Sequence, residues 1–377
     1  MIMVDSLGIT SRQTPLHSLH EALGASFTDF AGWQMPVRYT SDLAEHHAVR
    51  ATAGLFDVSH MAEFEVSGPQ VGDFLDFAVS SWLSPLELGQ AKYALLLNED
   101  GGVIDDLIVY RTGPFQYFVV ANAGNREPAW TALKQRSIDF DVELHDVSDQ
   151  TALLALQGPK AYETLMRVFG LEVGKTPLAD LKYYRAIPAR FEGEPVLIGR
   201  TGYTGEDGFE LFIDVSHAVP LWQALMNAGG PIGLVPAGLA CRDTLRLEAG
   251  MPLYGHELNA TTLPVQAGLG RAVSLVKGNF VGRDAVVEGP GFAAPVLVGL
   301  IGDGRRAPRA DYRIFSGDVP VGVVTSGALS PTLGYPIAMA FVDPDYAESG
   351  SGLEVDVRGT RLPVVVADLP FYQRKKN

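Results

Sequence analysis

The chain predicts an α+β protein that ends in an all-β module, and three observations carry that reading. Alternating apolar runs on either side of Asp100-Gly101 predict a β-hairpin. Helical stretches over 218–227 and 237–249 interrupt the strands in the middle of the chain. Beyond about residue 290 helical periodicity fades, and short apolar runs separated by Gly, Pro and Asp predict a small barrel or sandwich. At 377 residues the chain exceeds what one hydrophobic core serves, so two or three domains are expected.

Taken in order, residues 1–13 carry no pattern and read as a loose extension. A helix is expected over 42–53, with Asp42 and Glu45 spaced as a capping box and Gly54 placed to end it. Strand-like alternation follows over 61–66. The hairpin runs over 92–97, turns at Glu99-Asp100-Gly101-Gly102 and returns over 104–111, with a third strand over 117–121. The run 151–156 followed by Gly158-Pro159 reads as strand, turn and helix start, the helix reaching about Phe169. Strands over 196–199 and 209–213 flank a glycine-dense turn. The helix over 237–249 has Pro236 near its start and Gly250 just past its end. The C-terminal strands are placed over 296–301, 321–325, 338–342, 353–357 and 363–366.

Composition narrows the function classes. With 47% hydrophobic and 19% charged residues the chain is too apolar for disorder. Its longest apolar stretches fall far short of the roughly 20 residues a membrane-spanning helix needs. The first residues lack a basic segment and a long apolar run, so no secretory signal is expected. One cysteine, Cys241, excludes an internal disulfide and a multi-thiolate metal site, which fits a reducing cytoplasm. A net charge of −15 disfavours nucleic-acid binding. Arg305, Arg306 and Arg309, and the tail Arg374-Lys375-Lys376, are the nearest basic clusters and read as solvated surface.

Several motifs fail on inspection. Gly170 to Thr176 has three residues between its glycines where a phosphate loop needs four, and it follows a helix. The Gly199, Gly202, Gly205, Gly208 run is not a dinucleotide fingerprint. The histidines His17, His20, His46, His47, His60, His145, His217 and His256 form no metal-ligand pattern, so satisfied or exposed side chains are expected and no metal is called. Asp57, Ser59 and His60 are close in sequence, but neighbours on an extended segment point to opposite faces and cannot act as a nucleophile–base pair.

Three places hold chemistry-bearing residues. In the strand Val103 to Tyr110, period-two geometry puts Asp105 with Leu107 and Val109, and Asp106 with Ile104, Ile108 and Tyr110. At least one of these carboxylates sits on a partly buried face, where it needs hydrogen bonds or a ligand. A strand-end aspartate bonding a nearby turn satisfies the same pattern. The second place runs from Arg200 to Glu210, with Tyr203 and Glu210 presented around glycines that allow close backbone approach; a sharp turn beside a solvated carboxylate fits equally. The third runs from Ala240 to Glu248, where Arg242 and Arg246 share a helix face beside carboxylates, the pattern of a structural ion-pair network.

Seven segments in register then identify a relationship. Asp29-Phe-Ala-Gly-Trp33-Gln-Met-Pro, Gly54-Leu-Phe-Asp57-Val-Ser-His60-Met, Gly101-Gly-Val-Ile-Asp-Asp106, Leu156-Gln-Gly-Pro159, Gly202-Tyr-Thr-Gly-Glu-Asp-Gly-Phe-Glu210, Ala240-Cys-Arg242-Asp243-Thr-Leu-Arg-Leu-Glu-Ala-Gly250 and Thr325-Ser-Gly-Ala-Leu-Ser-Pro-Thr-Leu-Gly334 resemble the aminomethyltransferase, or T-protein, family of the glycine cleavage system. The resemblance runs from about Thr14 to Phe371. It implies three domains in a ring around a folate cavity: 1–60 plus 150–259 as a discontinuous folate-binding domain, 61–149 inserted, and 260–377 as a β-rich barrel domain.

The resemblance also implies the activity. The family transfers the aminomethyl-derived carbon from the lipoyl arm of the H-protein to tetrahydrofolate, releasing ammonia and forming 5,10-methylenetetrahydrofolate, with no metal, flavin, nucleic acid or membrane. Asp106 matches the family's essential aspartate near folate N5 and N10, where it would orient nitrogen and stabilise positive charge as the methylene iminium forms. Glu210 matches the pterin-binding carboxylate, Tyr93, Tyr203, Tyr110 and Asn122 match cavity-lining positions, and Arg242 matches a substrate-contacting one. Gln266 and Arg271 depart from the Glu and Trp common in the family. Relatives of the same fold offer two alternatives: a tetrahydrofolate-dependent demethylase of another one-carbon donor, or a non-catalytic folate-binding protein. The latter carries a cysteine motif where Lys277-Gly-Asn-Phe-Val-Gly282 stands here.

Overall fold

In the computed structural model, which describes residues 3–4, 10–174 and 176–374, the expected hairpin forms between strands Ala91–Leu97 and Val103–Gly113. Its turn is closed by Asn98 N donating to Gly102 O at 2.8 Å, and Gly101 supplies the left-handed φ of 78° that the turn requires. Lys175, Lys375 and Lys376, from the rejected phosphate loop and the basic tail, lie outside the described residues, as do 1, 2 and 5–9 of the expected loose extension.

The hairpin belongs to a five-stranded sheet in the order Glu143–Asp146, Ala62–Ser67, Gln116–Ala121, Val103–Gly113, Ala91–Leu97. Glu63 opposes Val120, and Val120 opposes Ile108. These three therefore share one face of the sheet, and Tyr110 lies on that face opposite Phe118.

A seven-stranded sheet orders Leu171–Val173, Ala186–Phe191, Glu194–Gly199, Gly208–Asp214, Thr151–Gln157, Ala53–Asp57 and Leu234–Pro236. The last pair is parallel. Leu55, Leu154, Leu156, Phe209 and Leu211 from this sheet are buried with Leu221, Trp222 and Leu225 of helix Ala218–Gly229. Fully burying such side chains contributes about 1.5–3 kcal/mol each, so this core fixes the sheet on which Glu210 sits.

The C-terminal strands close into a six-stranded barrel, ordered Val296–Gly302, Pro336–Val342, Val319–Leu329, Arg313–Ser316, Gly352–Val357, Thr360–Ala367. The first and last pair, Leu300 against Val366, so the barrel leaves no open edge. All five expected runs fall within its strands. The sixth, Arg313–Ser316, has only four residues and a register irregularity at Ile314/Phe315, so its alternation is too short to read.

Several boundaries differ from expectation. The helix expected over 42–53 is Asp42–Ala51, and its N-cap is Ser41, whose Oγ accepts from Ala44 N at 3.4 Å. Glu45 makes no capping box; its Oε1 accepts from Tyr39 N and Thr40 N, and its Oε2 from Gly238 N. Gly54 lies inside a strand instead of ending the helix. Residues 3–4 and 10–11, within the expected loose extension, form a two-stranded pair. Gln266, one of the family departures, spans its own turn and donates from Nε2 to Pro295 O at 3.1 Å.

The chain divides into two compact units. One comprises the residues up to Phe74 with Leu83–Lys92 and Leu107–Arg242; the other comprises Leu75–Trp82, Tyr93–Asp106 and everything from Asp243.

Candidate active site

In the first unit, strand Gly208–Asp214 runs between Thr151–Gln157 and Glu194–Gly199 and presents Glu210 half-buried. Thr201 Oγ1 donates to Glu210 Oε2 at 2.5 Å, and Tyr110 Oη donates to the same oxygen at 3.3 Å. The two hydroxyls also lie 2.8 Å apart, where either can donate to the other in place of its bond to Glu210. Tyr110 is fully buried, and its burial together with the Glu210 charge pushes its phenol well above the ordinary range. It therefore stays protonated and acts as a donor. Among the described residues the donors on Glu210 converge on one oxygen, which fixes the carboxylate while leaving Oε1 for other partners.

The loop between Gly199 and Gly208 is held by a side chain beneath it. Gln157 Nε2 donates to Thr201 O at 3.1 Å, and Thr204 Oγ1 donates to Gln157 Oε1 at 3.0 Å. A Cβ at Gly202 would lie 2.0 Å from Gln157 Oε1, and one at Gly208 would lie 2.4 Å from its Nε2. These glycines are there because only a bare backbone admits the amide. Arg50 adds a second tie, donating to Thr204 O at 2.7 Å and pairing with Glu206 at 3.0 Å.

Tyr203, carried by this loop, lies under the Arg242 guanidinium, 4.9 Å from ring centroid to Cζ. Arg242 Nη1 is buried with no hydrogen-bond partner among the described residues. Burial lowers the Arg242 pKa, opposed by the charge of Glu210. His60 is 5% exposed, its ring edge-to-face with Phe30 at 5.5 Å and its Nδ1 without a partner among the described residues. Burial lowers its pKa to about 4, with Asp57 opposing and the Arg242 charge adding to the effect, so the imidazole is neutral. Glu63 is fully buried and neither carboxyl oxygen has a partner among the described residues. Asn122 ends strand Gln116–Ala121, half-buried, its carbonyl accepting from Asn125 N at 2.9 Å.

In the second unit, Tyr93 Oη donates to Asp106 Oδ2 at 3.0 Å. Asp105 is fully buried and Asp106 half-buried, so of the adjacent pair it is Asp106 that keeps a surface for a substrate. The charges of both, after burial itself, raise the Tyr254 pKa.

The two arginines of helix Leu239–Glu248 separate. Arg246 forms the ion-pair network read from sequence, bonding Asp243, Glu257 at 3.1 Å and Ser326 Oγ at 2.8 Å. Arg242 does not join it. The Asp57, Ser59, His60 grouping is not a triad either. Asp57 accepts from Thr14 Oγ1 at 2.6 Å and pairs with His20 Nε2 at 2.9 Å, while Ser59 Oγ donates to Leu153 O at 3.3 Å. A separate open groove of about 520 Å³ is lined by Arg12, Arg126, Trp130, Asp146 and Asp149, but its charges are spent on one another: Arg126 Nη1 and Nη2 grip Asp149 at 2.7 and 3.1 Å.

Comparison with known proteins decides the family. The model for the GCVT N-terminal domain matches residues 16–277, and that for the glycine cleavage T-protein C-terminal barrel domain matches 296–373. The chain belongs to the glycine cleavage T-protein family. An aminomethyltransferase of Cutibacterium acnes is 56% identical over 97% of this chain and 99% of its own length. One of Saccharopolyspora erythraea is 54% identical over 96% of this chain and 98% of its own length. The solved structure of the glycine cleavage system aminomethyltransferase T from Bartonella henselae superposes with a TM-score of 0.88 at 36% identity, covering 96% of this chain and 98% of that one.

Within the family frame, three pairings of the residues singled out from sequence form: Tyr110 with Glu210, Tyr203 with Arg242, and Tyr93 with Asp106. Thr201, Gln157, His60 and Glu63 were not singled out as site residues. Thr201 and Gln157 lie in or beside quoted motifs, so motif membership was the available signal. His60 is expected from sequence to be satisfied or exposed; it is buried, its Nδ1 has no partner among the described residues, and its ring meets Phe30 of a hairpin distant in sequence. Glu63 occupies a period-two position in an apolar strand, and only sheet pairing reveals that its face is covered.

Proposed function

We infer that this chain carries out the aminomethyltransferase step of glycine cleavage. It takes the aminomethyl-derived carbon from the lipoyl arm of the H-protein, releases ammonia and delivers the carbon to tetrahydrofolate as 5,10-methylenetetrahydrofolate. The observation that carries this reading is the Glu210 carboxylate, anchored through Oε2 by Thr201 and Tyr110. A pterin presents N3–H and a 2-amino group side by side, and an ionised carboxylate accepts both in a bidentate pair. The buried Arg242 guanidinium packs over Tyr203, and the charge of Glu210 acts on it.

Tetrahydrofolate supplies the nitrogen atoms that take up the carbon. The chain's own residues supply position and charge. Asp106, oriented by the Tyr93 hydroxyl, holds a folate nitrogen in line and stabilises the positive charge that develops during transfer. Tyr203, Tyr93, Tyr110 and Asn122 line the folate site. The division we propose is 1–60 with 150–259 as the folate-binding domain, 61–149 inserted and 260–377 as the barrel domain; the closed barrel and the match over 296–373 support the last. The lone, buried Cys241 fits a reducing compartment, which we take to be the cytoplasm. No described helix is long and apolar enough to cross a membrane.

Two variants test these roles separately. Glu210→Gln is expected to weaken tetrahydrofolate binding about tenfold or more. Asp106→Asn should fold normally, bind tetrahydrofolate within about threefold of wild type and lose turnover by about 100-fold or more. Full activity of Asp106→Asn with normal folate binding would remove Asp106 from the reaction.

A further inference from the structure

Resting on the folate reading above, we propose that Glu45 and Arg50 of helix Asp42–Ala51 are positioning residues for folate, because this one helix sets the Arg242 guanidinium over the Tyr203 ring. Each acts through the backbone of the segment that carries one half of the stack.

Glu45 holds the Arg242 half. Its Oε2 accepts from Gly238 N at 2.9 Å, immediately before helix Leu239–Glu248, and Gly238 O in turn accepts from Arg242 N at 3.2 Å. Its Oε1 accepts from Tyr39 N and Thr40 N at 2.7 and 3.1 Å, so the buried carboxylate is gripped at both oxygens. A Cβ at Gly238 would lie 2.4 Å from the Val37 carbonyl, so only a bare backbone lets the helix start here. Arg50 holds the Tyr203 half. Its Nη1 donates to Thr204 O at 2.7 Å and pairs with Glu206 Oε1 at 3.0 Å, just beyond Tyr203 in the loop. Both side chains of that pair are less than a tenth exposed, so salt screens it little.

Glu45 and Arg50 are five residues apart, which sets them about 7.5 Å along and 140° around the helix axis. A single rigid element therefore reaches two segments that are distant in sequence. The helix is itself fixed: Val49 is fully buried, and a Cβ at Gly54 would lie 2.5 Å from its Cγ2. Gly158 closes against the C-terminal end of the helix, where a Cβ would meet Val49 O at 2.7 Å. Gly158 N donates to Asp207 O at 2.7 Å, tying the far end of the Tyr203 loop to the same place. Arg242 Nη1 has no hydrogen-bond partner among the described residues, so at that nitrogen no bond restores the guanidinium once its helix shifts. The stack stands at 4.9 Å, and attraction between a cation and a ring face is confined to about 6 Å. A shift of about 1 Å in either backbone is enough to weaken it.

The experiment measures the dissociation constant of tetrahydrofolate by calorimetry, with urea midpoints to establish that each variant is folded. Arg50→Met with Glu206→Gln deletes the bond to Thr204 O without leaving a buried unpaired carboxylate, and should weaken binding about tenfold. In a Tyr203→Ala background the same two changes should add less than about twofold, because the side chain they position is gone. Glu45→Gln sets an amide donor against backbone N–H groups and should also weaken binding about tenfold, but less than about twofold in an Arg242→Met background. A side chain that only stabilises the fold would weaken binding by the same factor in either background. Equal factors in the two backgrounds, or wild-type affinity in the starting variants, would overturn the positioning role of the residue tested and leave the folate reading standing. Each cycle decides its own residue, so a variant that does not fold leaves the other cycle to decide the role of the helix. If wild type does not bind tetrahydrofolate at all, the folate reading itself fails and both positioning roles with it.

Discussion

Gln157 positions Thr201 and Thr204 from below the loop that carries Tyr203, and Thr201 in turn anchors Glu210. Gln157→Leu keeps the volume and deletes both amide bonds, leaving Thr201 O without its donor and the Thr204 hydroxyl proton without its acceptor in a buried place. It is expected to raise KM for tetrahydrofolate about tenfold with a smaller change in kcat, because the loss falls on binding geometry. A variant with unchanged KM would show that the backbone alone holds the loop. Glu63 makes a different prediction. Its burial, together with the neighbouring Asp146, Asp149 and Glu210 charges, raises its pKa well above the ordinary 4.5, only partly offset by Arg126. The folded state then keeps a proton that the unfolded chain releases above that value, so this term loses stability as pH rises from 4.5 through the folded pKa, by about 1.4 kcal/mol per pH unit. Glu63→Gln should abolish that slope, read as urea midpoints between pH 5 and 8. Equal slopes in the two proteins would contradict the assignment. Asp57 acts in the opposite direction: against its burial, His20, Thr14 and Ser59 hold its pKa low, and its contribution disappears as pH falls through that value.

Helix Leu239–Glu248 shows where sequence spacing runs out at the level of an element. Arg242 and Arg246 are one turn apart and look equivalent in the sequence. Only Arg246 meets Glu257 and Ser326, because those partners come from segments 11 and 80 residues away. Removing the arginine leaves the buried Glu257 charge without its cation, held only by the hydrogen bonds from Leu253 N and Ser326 Oγ, so Arg246→Met should cost about 3–5 kcal/mol, read as a loss in Tm or urea midpoint. A shift below about 1 kcal/mol would mean that the bonds from Leu253 N and Ser326 Oγ suffice to hold Glu257. The elements themselves were legible in proportion to their periodicity. The hairpin and the long barrel strands were readable because period two is explicit in them. Helix Arg126–Arg136 was not, since its buried residues are only Ala129, Ala132 and Leu133 and the rest is polar. The hairpin of Ser26–Phe30 and Trp33–Arg38 escaped for another reason: its turn places Ala31 at a φ of 52° before Gly32, where Asn or Asp would have announced it.

At the level of the whole molecule, the α+β class and the all-β end followed from periodicity, whereas the family followed from motif order along the chain. Neither route could reach the environment of His60 or Glu63, because burial of a polar side chain is decided by residues far away in sequence. The comparisons extend the family over nearly the full length, and the roles of Asp106, Glu210 and Arg242 follow from it as proposals that rest on distinct local geometry. The aminomethyltransferase reaction requires that folate accept a carbon whose departure frees ammonia. Its most direct test supplies aminomethyl-loaded lipoyl H-protein to the full chain with and without tetrahydrofolate, and follows ammonia and 5,10-methylenetetrahydrofolate together. Rapid, stoichiometric appearance of both products only when tetrahydrofolate is present is the predicted result. Tetrahydrofolate binding with neither product formed would contradict the claim and point to another one-carbon donor.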